Sequence, residues 1–241
     1  MARIEAKKVE LAYGRIKELV VNARFRPGEQ LQINELSEEL DLSPTPVREA
    51  LSRLLAEDLI VGVPNRGFFC KQLDVEELRA LYEFAFVVLK HSLRFGLEAA
   101  KEERRFEEFR FDDDEITTGT PNQKDSHDLL ARRIERLYVT IAALSRNPLM
   151  VSCIRGFNDK SHYMRVMDLS SEGHLGQIRP ELTRLVSNLR AGKTADAVKQ
   201  LDRLHQRKHE NLPLLAREGL ARAFLSNGAE YHGIANGEAR L

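Results

Sequence analysis

The stretch Leu42-Ser43-Pro44-Thr45-Pro46-Val47-Arg48-Glu49-Ala50-Leu51 decides how the N-terminal third of the chain folds. Ser43 is a good N-cap, and Pro44 suits the first helical position, where a missing N–H is no loss. Val47, Leu51, Leu54 and Leu55 then recur at helical spacing, so residues 44–57 read as one helix with a buried face. Thr45 and Arg48 stand three residues apart and share a face of its first turn. Just upstream, Ile33, Leu36 and Leu40 mark a short helix over residues 33–40, and Asp41-Leu42 is a tight connection. Two short helices joined this closely describe a helix-turn-helix.

Working outward, Leu59-Ile60-Val61-Gly62-Val63 and Phe68-Phe69-Cys70 flank the turn Pro64-Asn65-Arg66-Gly67. Two β-prone runs about a Pro/Asn/Gly turn predict a hairpin, and a hairpin directly behind the second helix is the wing of a winged helix. Residues 4–23 predict a leading helix with Leu11, Ile16, Leu19 and Val20 as its apolar stripe, ended by Arg26-Pro27-Gly28. From Asp74 onward strand signals stop. Helical stripes follow at Leu78, Leu81, Tyr82, Ala85, Val88 and Leu89, and at Ile134, Leu137, Tyr138, Ile141 and Leu144. Two more fall at Ile178, Leu182, Leu185, Val186 and Leu189, and at Ala197, Leu201 and Leu204. Loops are expected at residues 112–124, at Asn147-Pro148, at residues 170–173 and at Gly192. The predicted fold class is therefore mainly α: a winged helix-turn-helix over residues 1–73, an all-helical bundle of six or seven helices over 74–226, and a loose tail over 227–241.

Composition narrows the classes. The chain has 241 residues, 31% charged and 42% hydrophobic, as in an ordinary soluble domain pair. No apolar run approaches the ~20 residues of a membrane span, and the first residues lack a secretory leader's apolar stretch. A cytoplasmic location is expected. Cys70 and Cys153 are the only cysteines and read as reduced, buried thiols. Lys plus Arg and Asp plus Glu both number 37, so the balance either counts against a polyanionic partner or implies positive charge concentrated on one face. No nucleophile elbow, phosphate loop, HExxH or Cys/His arrangement supports an enzyme. The acidic run Asp112-Asp113-Asp114-Glu115 lacks the glycine and spacing of a calcium loop.

A recognition helix presents short polar and cationic groups from its first turn to base edges and phosphates. Arg48 can pair bidentately with guanine or clamp a phosphate. Ser43 and the free N–H groups of the helix start suit a phosphate. Arg66-Gly67 brings a cation and a small residue to the wing tip. Arg53 either reaches a phosphate or lies on a solvated face. The alternative reading of the same module is a winged helix used for protein contact.

At this point the chain resembles the GntR family of bacterial regulators. Pro27-Gly28-Glu29-Gln30-Leu31, the stretch from Ser43 to Leu51, Leu54 and Arg66-Gly67 carry the resemblance. It implies a homodimer on double-stranded, palindromic operator DNA, switched by a small effector. The DNA-contacting set it supports is Asn34, Ser43, Thr45, Pro46, Arg48, Arg53, Arg66 and Gly67. Pro44 and Asn34 stand where relatives often carry arginine. The helical half is similar to the FadR-type branch with its FCD effector domain, through Ala142-Ala143-Leu144-Ser145-Arg146-Asn147-Pro148-Leu149 and Ala191-Gly192 with Ala197.

Many such domains hold a metal with an aspartate and three histidines, beside an arginine. Those positions fall here on Ile134, Tyr138, Leu182, Leu204 and Ala85, so the resemblance implies a domain without that metal site. Isoleucine and leucine offer no donor. His205 and His209, spaced i, i+4, are an alternative metal pair; a polar helix face beside Arg207 and Lys208 is the other reading. The apolar substitutions leave either a cavity for an apolar molecule or a filled core. The effector candidates are Tyr138, with Arg155, Asn158, His162 and Arg165 as a cationic and polar stripe for an anionic head group, or a solvated or dimer-facing stripe. The expected function is a DNA-binding transcriptional regulator, a repressor, with an effector in the helical domain; the alternative is a helical domain that only dimerises and senses nothing.

Overall fold

The structure is a computed structural model and describes residues 2–103, 109 and 124–226. The acidic run at residues 112–115 and the expected tail at 227–241 lie outside the described residues. The chain divides into two compact units. Among the described residues, one unit is residues 2–73 together with 217–226. The other is Asp74–Ala216, so the helical unit ends before residue 226.

In the first unit, α1 (Ala2–Val21) is followed by β1 (Gln30–Leu31), α2 (Ile33–Leu40), α3 (Pro44–Ala56), β2 (Ile60–Val63) and β3 (Gly67–Cys70). Ala12, Tyr13 and Ile16 of α1 pack with Val47, Ala50, Leu51 and Leu54 of α3 in one buried cluster. Leu11 and Leu55 are exposed, contrary to the sequence reading. Each sits on the margin of its stripe, and the partner helix covers the neighbouring residues instead. Asp41 takes a left-handed φ of 52° and closes α2, with Leu42 N–H bonding Ser37 O at 2.9 Å. The sheet has three antiparallel strands in the order β1-β3-β2. The hairpin was expected, β1 was not: two residues carry no alternation to read. Its Gln30 pairs with Phe69 and Leu31 with Phe68.

The helical unit holds α4 (Val75–His91), a π-turn (Ser92–Gly96), α5 (Leu97–Glu102), α6 (Lys124–Ala143), α7 (Pro148–Ser170), α8 (Glu172–Arg190) and most of α9 (Thr194–Ser226). Caps explain the starts. Asp74 accepts from Glu76 N–H at 2.8 Å, and Asn147 accepts from Leu149 N–H at 3.0 Å just before Pro148. The four predicted stripes meet in a single core that includes Ala85, Val88, Leu89, Ile134, Leu137, Ile141, Ile178, Leu182, Leu185, Leu189, Leu201 and Leu204. Cys70 is buried, but Cys153 is exposed on α7, because the covered face of that helix carries Ile154, Phe157 and Ser161 instead.

The π-turn brings backbone against backbone. A Cβ at Gly96 would stand 2.5 Å from the Leu144 carbonyl, and no side chain can yield to relieve that. Gly96→Ala should therefore destabilise the helical unit by about 2 kcal/mol or more, as overpacking in a tight core does. Urea unfolding followed by circular dichroism checks this; an unchanged midpoint would contradict the close crossing.

Candidate nucleic-acid interface and ligand cavity

The presentation of α3 follows from its burial. Pro46, Val47, Ala50, Leu51 and Leu54 face inward. A helix turns about 100° per residue, so Thr45 and Arg48 point outward, and both are exposed. Ser43 and Asn34 are exposed beside them. Ser43 is the N-cap by backbone conformation, yet its hydroxyl makes no cap bond. The reason lies in the sequence: the third helical position, a usual cap donor, is Pro46, which has no N–H. Pro44 lacks one too. The start of α3 therefore offers only the Ser43 and Thr45 N–H groups, fewer than the sequence reading assumed.

One expected DNA contact is corrected, and a second has partners inside its own unit. Pro46 is buried and faces the core rather than the groove. Arg53 is committed inside its own unit. Its guanidinium lies 3.6 Å above the Tyr13 ring, Nη1 donates to Glu10 at 2.9 Å, and Nε stands 3.4 Å from Glu57. Tyr13 Oη donates to the Glu57 carboxylate at 2.9 Å and accepts from Lys17 Nζ at 2.9 Å. Burial raises the Glu57 carboxyl, but hydrogen bonds from Lys17 and Tyr13 outweigh it and leave it below its ordinary value. This set pins α1 to α3. The wing tip is fixed by Gln30 Nε2, which donates to Arg66 O at 2.7 Å. Arg66 is exposed with its guanidinium 5.6 Å from the Phe69 ring, and Gly67 has φ 97°, a conformation that needs glycine.

In the helical unit the five positions that the resemblance aligned all lie on one cavity of about 60 Å³: Ala85, Ile134, Tyr138, Leu182 and Leu204. Ile134, Leu182 and Leu204 are buried and close its apolar wall. A donor set of one tyrosine hydroxyl among leucine and isoleucine does not fit a metal ion. Among the described residues no group of three or more His, Cys, Asp or Glu side chains is arranged to hold one. His205 borders the cavity but stacks on Phe86 with ring centroids 4.0 Å apart, and its pKa is lowered by burial and by His209.

The predicted effector stripe splits. Arg165 and Tyr138 border the cavity. Asn158 and His162 are buried against α6: Asn158 Nδ2 donates to Glu135 O at 3.1 Å, and the two His162 ring nitrogens lie 2.8 Å from Glu135 and 2.9 Å from Asp128. Arg155 is exposed, one turn beyond the residues that α6 covers. Arg165 Nη1 donates to Glu135 at 2.6 Å.

The sequence reading missed the centre of this site. The Asp168 carboxylate, 2% exposed, receives Lys208 Nζ, stands 3.0 Å from His174 Nδ1 and 3.5 Å from Arg207 Nη2. Arg207 and Lys208, read from sequence as a solvated face, have side chains only 13% and 12% exposed. Burial raises the Asp168 carboxyl, but Lys208 and Arg207 hold it below its ordinary value. Burial pushes the Lys208 ammonium down to about 8. The clue available in the sequence was Asp168 within an otherwise apolar run, Val166-Met167-Asp168-Leu169.

Because the folded pKa of Lys208 lies below its unfolded value, the unfolded chain binds more protons between about pH 8 and pH 10. Stability should rise with pH across that window, by roughly 2 kcal/mol from this group alone. The difference in urea stability between the native chain and Lys208→Met, measured from pH 7 to pH 10, should show that slope. A difference independent of pH would contradict the burial of a charged Lys208.

Comparison with known proteins now bears on this geometry. Residues 8–70 match the family of bacterial regulatory proteins called the gntR family. The chain is 29% identical over 167 residues, 65% of its length and 75% of the relative's, to the Nta operon transcriptional regulator of Aminobacter aminovorans. It is 22% identical over 191 residues, 78% of its length and 83% of the relative's, to the HTH-type transcriptional regulator YdhC of Bacillus subtilis. Its fold is similar to that of E. coli McbR/YncC, with a TM-score of 0.64 at 17% identity over 88% of this chain and 98% of that one. The matched segment spans α1 through the wing, the same elements that hold Thr45, Arg48 and Arg66 outward. Residues 8–70 of the chain thus form a DNA-binding winged helix of the gntR family, and the chain is a transcriptional regulator.

Proposed function

We propose that this regulator is a cytoplasmic operator-binding repressor that acts as a homodimer and responds to a small effector taken up by the FCD-like helical unit. The observation that carries the DNA part is the outward first turn of α3 opposite its fully buried face. In this reading Arg48 pairs with a guanine edge in the major groove, Ser43 and Thr45 meet phosphates or base edges, and Asn34 approaches from α2. Arg66 and Gly67 follow the backbone or minor groove at the wing. A homodimer would set two such helices on half-sites about one turn apart. Phe84, Val87 and Phe95, all more than half exposed, support a second copy as partner of α4 and its π-turn.

Sensing is supported by a cavity that joins an apolar wall to buried cations. Its size, about 60 Å³, also favours a second reading in which the helical unit only dimerises. No residue set of an enzyme enters either reading.

Gel-shift titration against the DNA upstream of its own gene tests the interface. Arg48→Ala should weaken binding by about 5- to 150-fold, the span of about 1–3 kcal/mol for a bidentate base contact. Arg53→Ala should lower stability by about 1 kcal/mol through lost stacking and ion pairing while retaining most affinity. Arg66→Ala should weaken binding to all sequences alike and reduce the salt slope by about 1. Unchanged binding by Arg48→Ala, or a larger loss from Arg53→Ala, would contradict the assignment.

A further inference from the structure

The α8–α9 hairpin carries a polar groove that neither reading of the helical unit uses. Leu182, Leu185, Val186 and Leu189 turn one face of α8 into the core, and Ala197, Leu201 and Leu204 do the same for α9. Their outward neighbours Arg184, Ser187, Lys199 and Arg203 are exposed and border a groove of about 400 Å³ lined from both helices. Asp196 is the acidic group of the lining, so three cations stand against one carboxylate. Among the described residues, Arg184, Lys199 and Arg203 have no ion-pair or hydrogen-bond partner.

Gln200 distinguishes this groove from an ordinary solvated face. It takes a core position, three residues after Ala197 and four before Leu204, and is 3% exposed, yet it borders the groove. Its Nε2 is shielded from solvent and has no hydrogen-bond partner. Asp196, one turn earlier on the same helix, does not accept from it. A buried amide donor without an acceptor costs free energy, and nearly all such groups in folded proteins are paired. An acceptor supplied from outside the chain satisfies it.

We propose that this groove binds a small phosphate monoester, its phosphoryl oxygens on Arg184, Lys199 and Arg203, one of them accepting from Gln200 Nε2. The charge fits: a phosphate monoester carries roughly −1.5 to −2 near neutral pH, and the lining has a matching excess of cations. The donors fit as well, since guanidinium groups pair bidentately with phosphate oxygens. A monocarboxylate has too few oxygens for this set of donors. A DNA duplex carries its phosphates on a convex surface, out of reach of an amide that is 3% exposed. The groove shares no lining residue with the cavity of the helical unit, so the site is a second one. A bound ester ties α8 to α9 through one shared charge and stabilises the unit.

The test titrates glycerol 2-phosphate into full-length protein, with acetate as the carboxylate control and ionic strength held constant with sodium chloride. Binding is read by calorimetry and by the shift of the unfolding midpoint. Glycerol 2-phosphate should bind and raise the midpoint, and acetate should do neither. The double variant Arg184→Gln, Arg203→Gln should lose about tenfold or more in affinity, as removal of charge-assisted bonds does. Gln200→Met takes an unpaired donor out of the core, so its ligand-free midpoint should be kept or raised while affinity falls about fivefold or more. Arg48→Ala should bind glycerol 2-phosphate like the native chain. Absence of binding, or equal stabilisation by acetate, overturns the proposal. So does a loss of binding in Arg48→Ala but not in the double variant, which places the anion on the winged helix. A lowered midpoint with unchanged affinity in Gln200→Met assigns that residue to the fold alone and overturns its part. In gel shifts without phosphate the double variant should match the native chain. A loss as large as that of Arg48→Ala assigns the groove to DNA phosphates and overturns the small-molecule reading.

Discussion

One packing constraint sets what this protein can show to DNA. Val47, Ala50, Leu51 and Leu54 of α3 are wholly buried against Ala12, Tyr13 and Ile16 of α1. With four positions of a 13-residue helix fixed inward, its rotation is fixed too, and Thr45 and Arg48 have no other direction than outward. The Tyr13, Lys17, Glu57 and Arg53 contacts add polar bonds at the same seam. Because these groups are partly exposed, their ion pairs contribute little beside the apolar burial, which supplies most of the holding energy. The two prolines of the first turn sharpen the same surface. They preset the helix start and remove two backbone donors, so recognition leans on side chains rather than on the helix terminus.

The helical unit depends on a different balance. Asp168 is a nearly inaccessible carboxylate in a core built of leucine and isoleucine, and it is tolerable there because Lys208 and Arg207 of α9 surround it. Removing one partner of such a cluster is far more damaging than replacing the whole, since it strands a charge away from water. Arg207 Nε and Nη1 make no hydrogen bond, and Glu181 stands just outside that range, 3.6 Å from Nε.

Much of this was legible in the sequence, for identifiable reasons. The stretch around Ser43 to Leu51 states its helix, its start and its outward residues in local spacing, and local spacing is what sequence reading measures. The wing hairpin follows from its turn. Ala85, Ile134, Tyr138, Leu182 and Leu204 come together on one cavity wall although they span four helices, as aligning the chain with relatives of known pattern implied. What the sequence did not disclose depends on pairs far apart in the chain. Nothing near Lys208 announces Asp168, 40 residues earlier, so a buried ion pair reads as solvated charge. Arg53 reads as a surface cation until Glu10 and Tyr13, on another helix, are brought under it. Pro46 shows its direction only once the α1 contact fixes the helix rotation, and the two-residue β1 is visible only through its partner β3.

The most direct measurement of the central claim is dimethyl sulfate protection of guanine N7 in the upstream DNA, compared between the native chain and Arg48→Ala at protein concentrations that saturate both. If the outward turn of α3 reads the major groove through Arg48, particular guanines should be protected by the native chain and reactive with Arg48→Ala, while the hydroxyl-radical footprint on the backbone persists. Identical guanine protection by the two proteins would contradict the account.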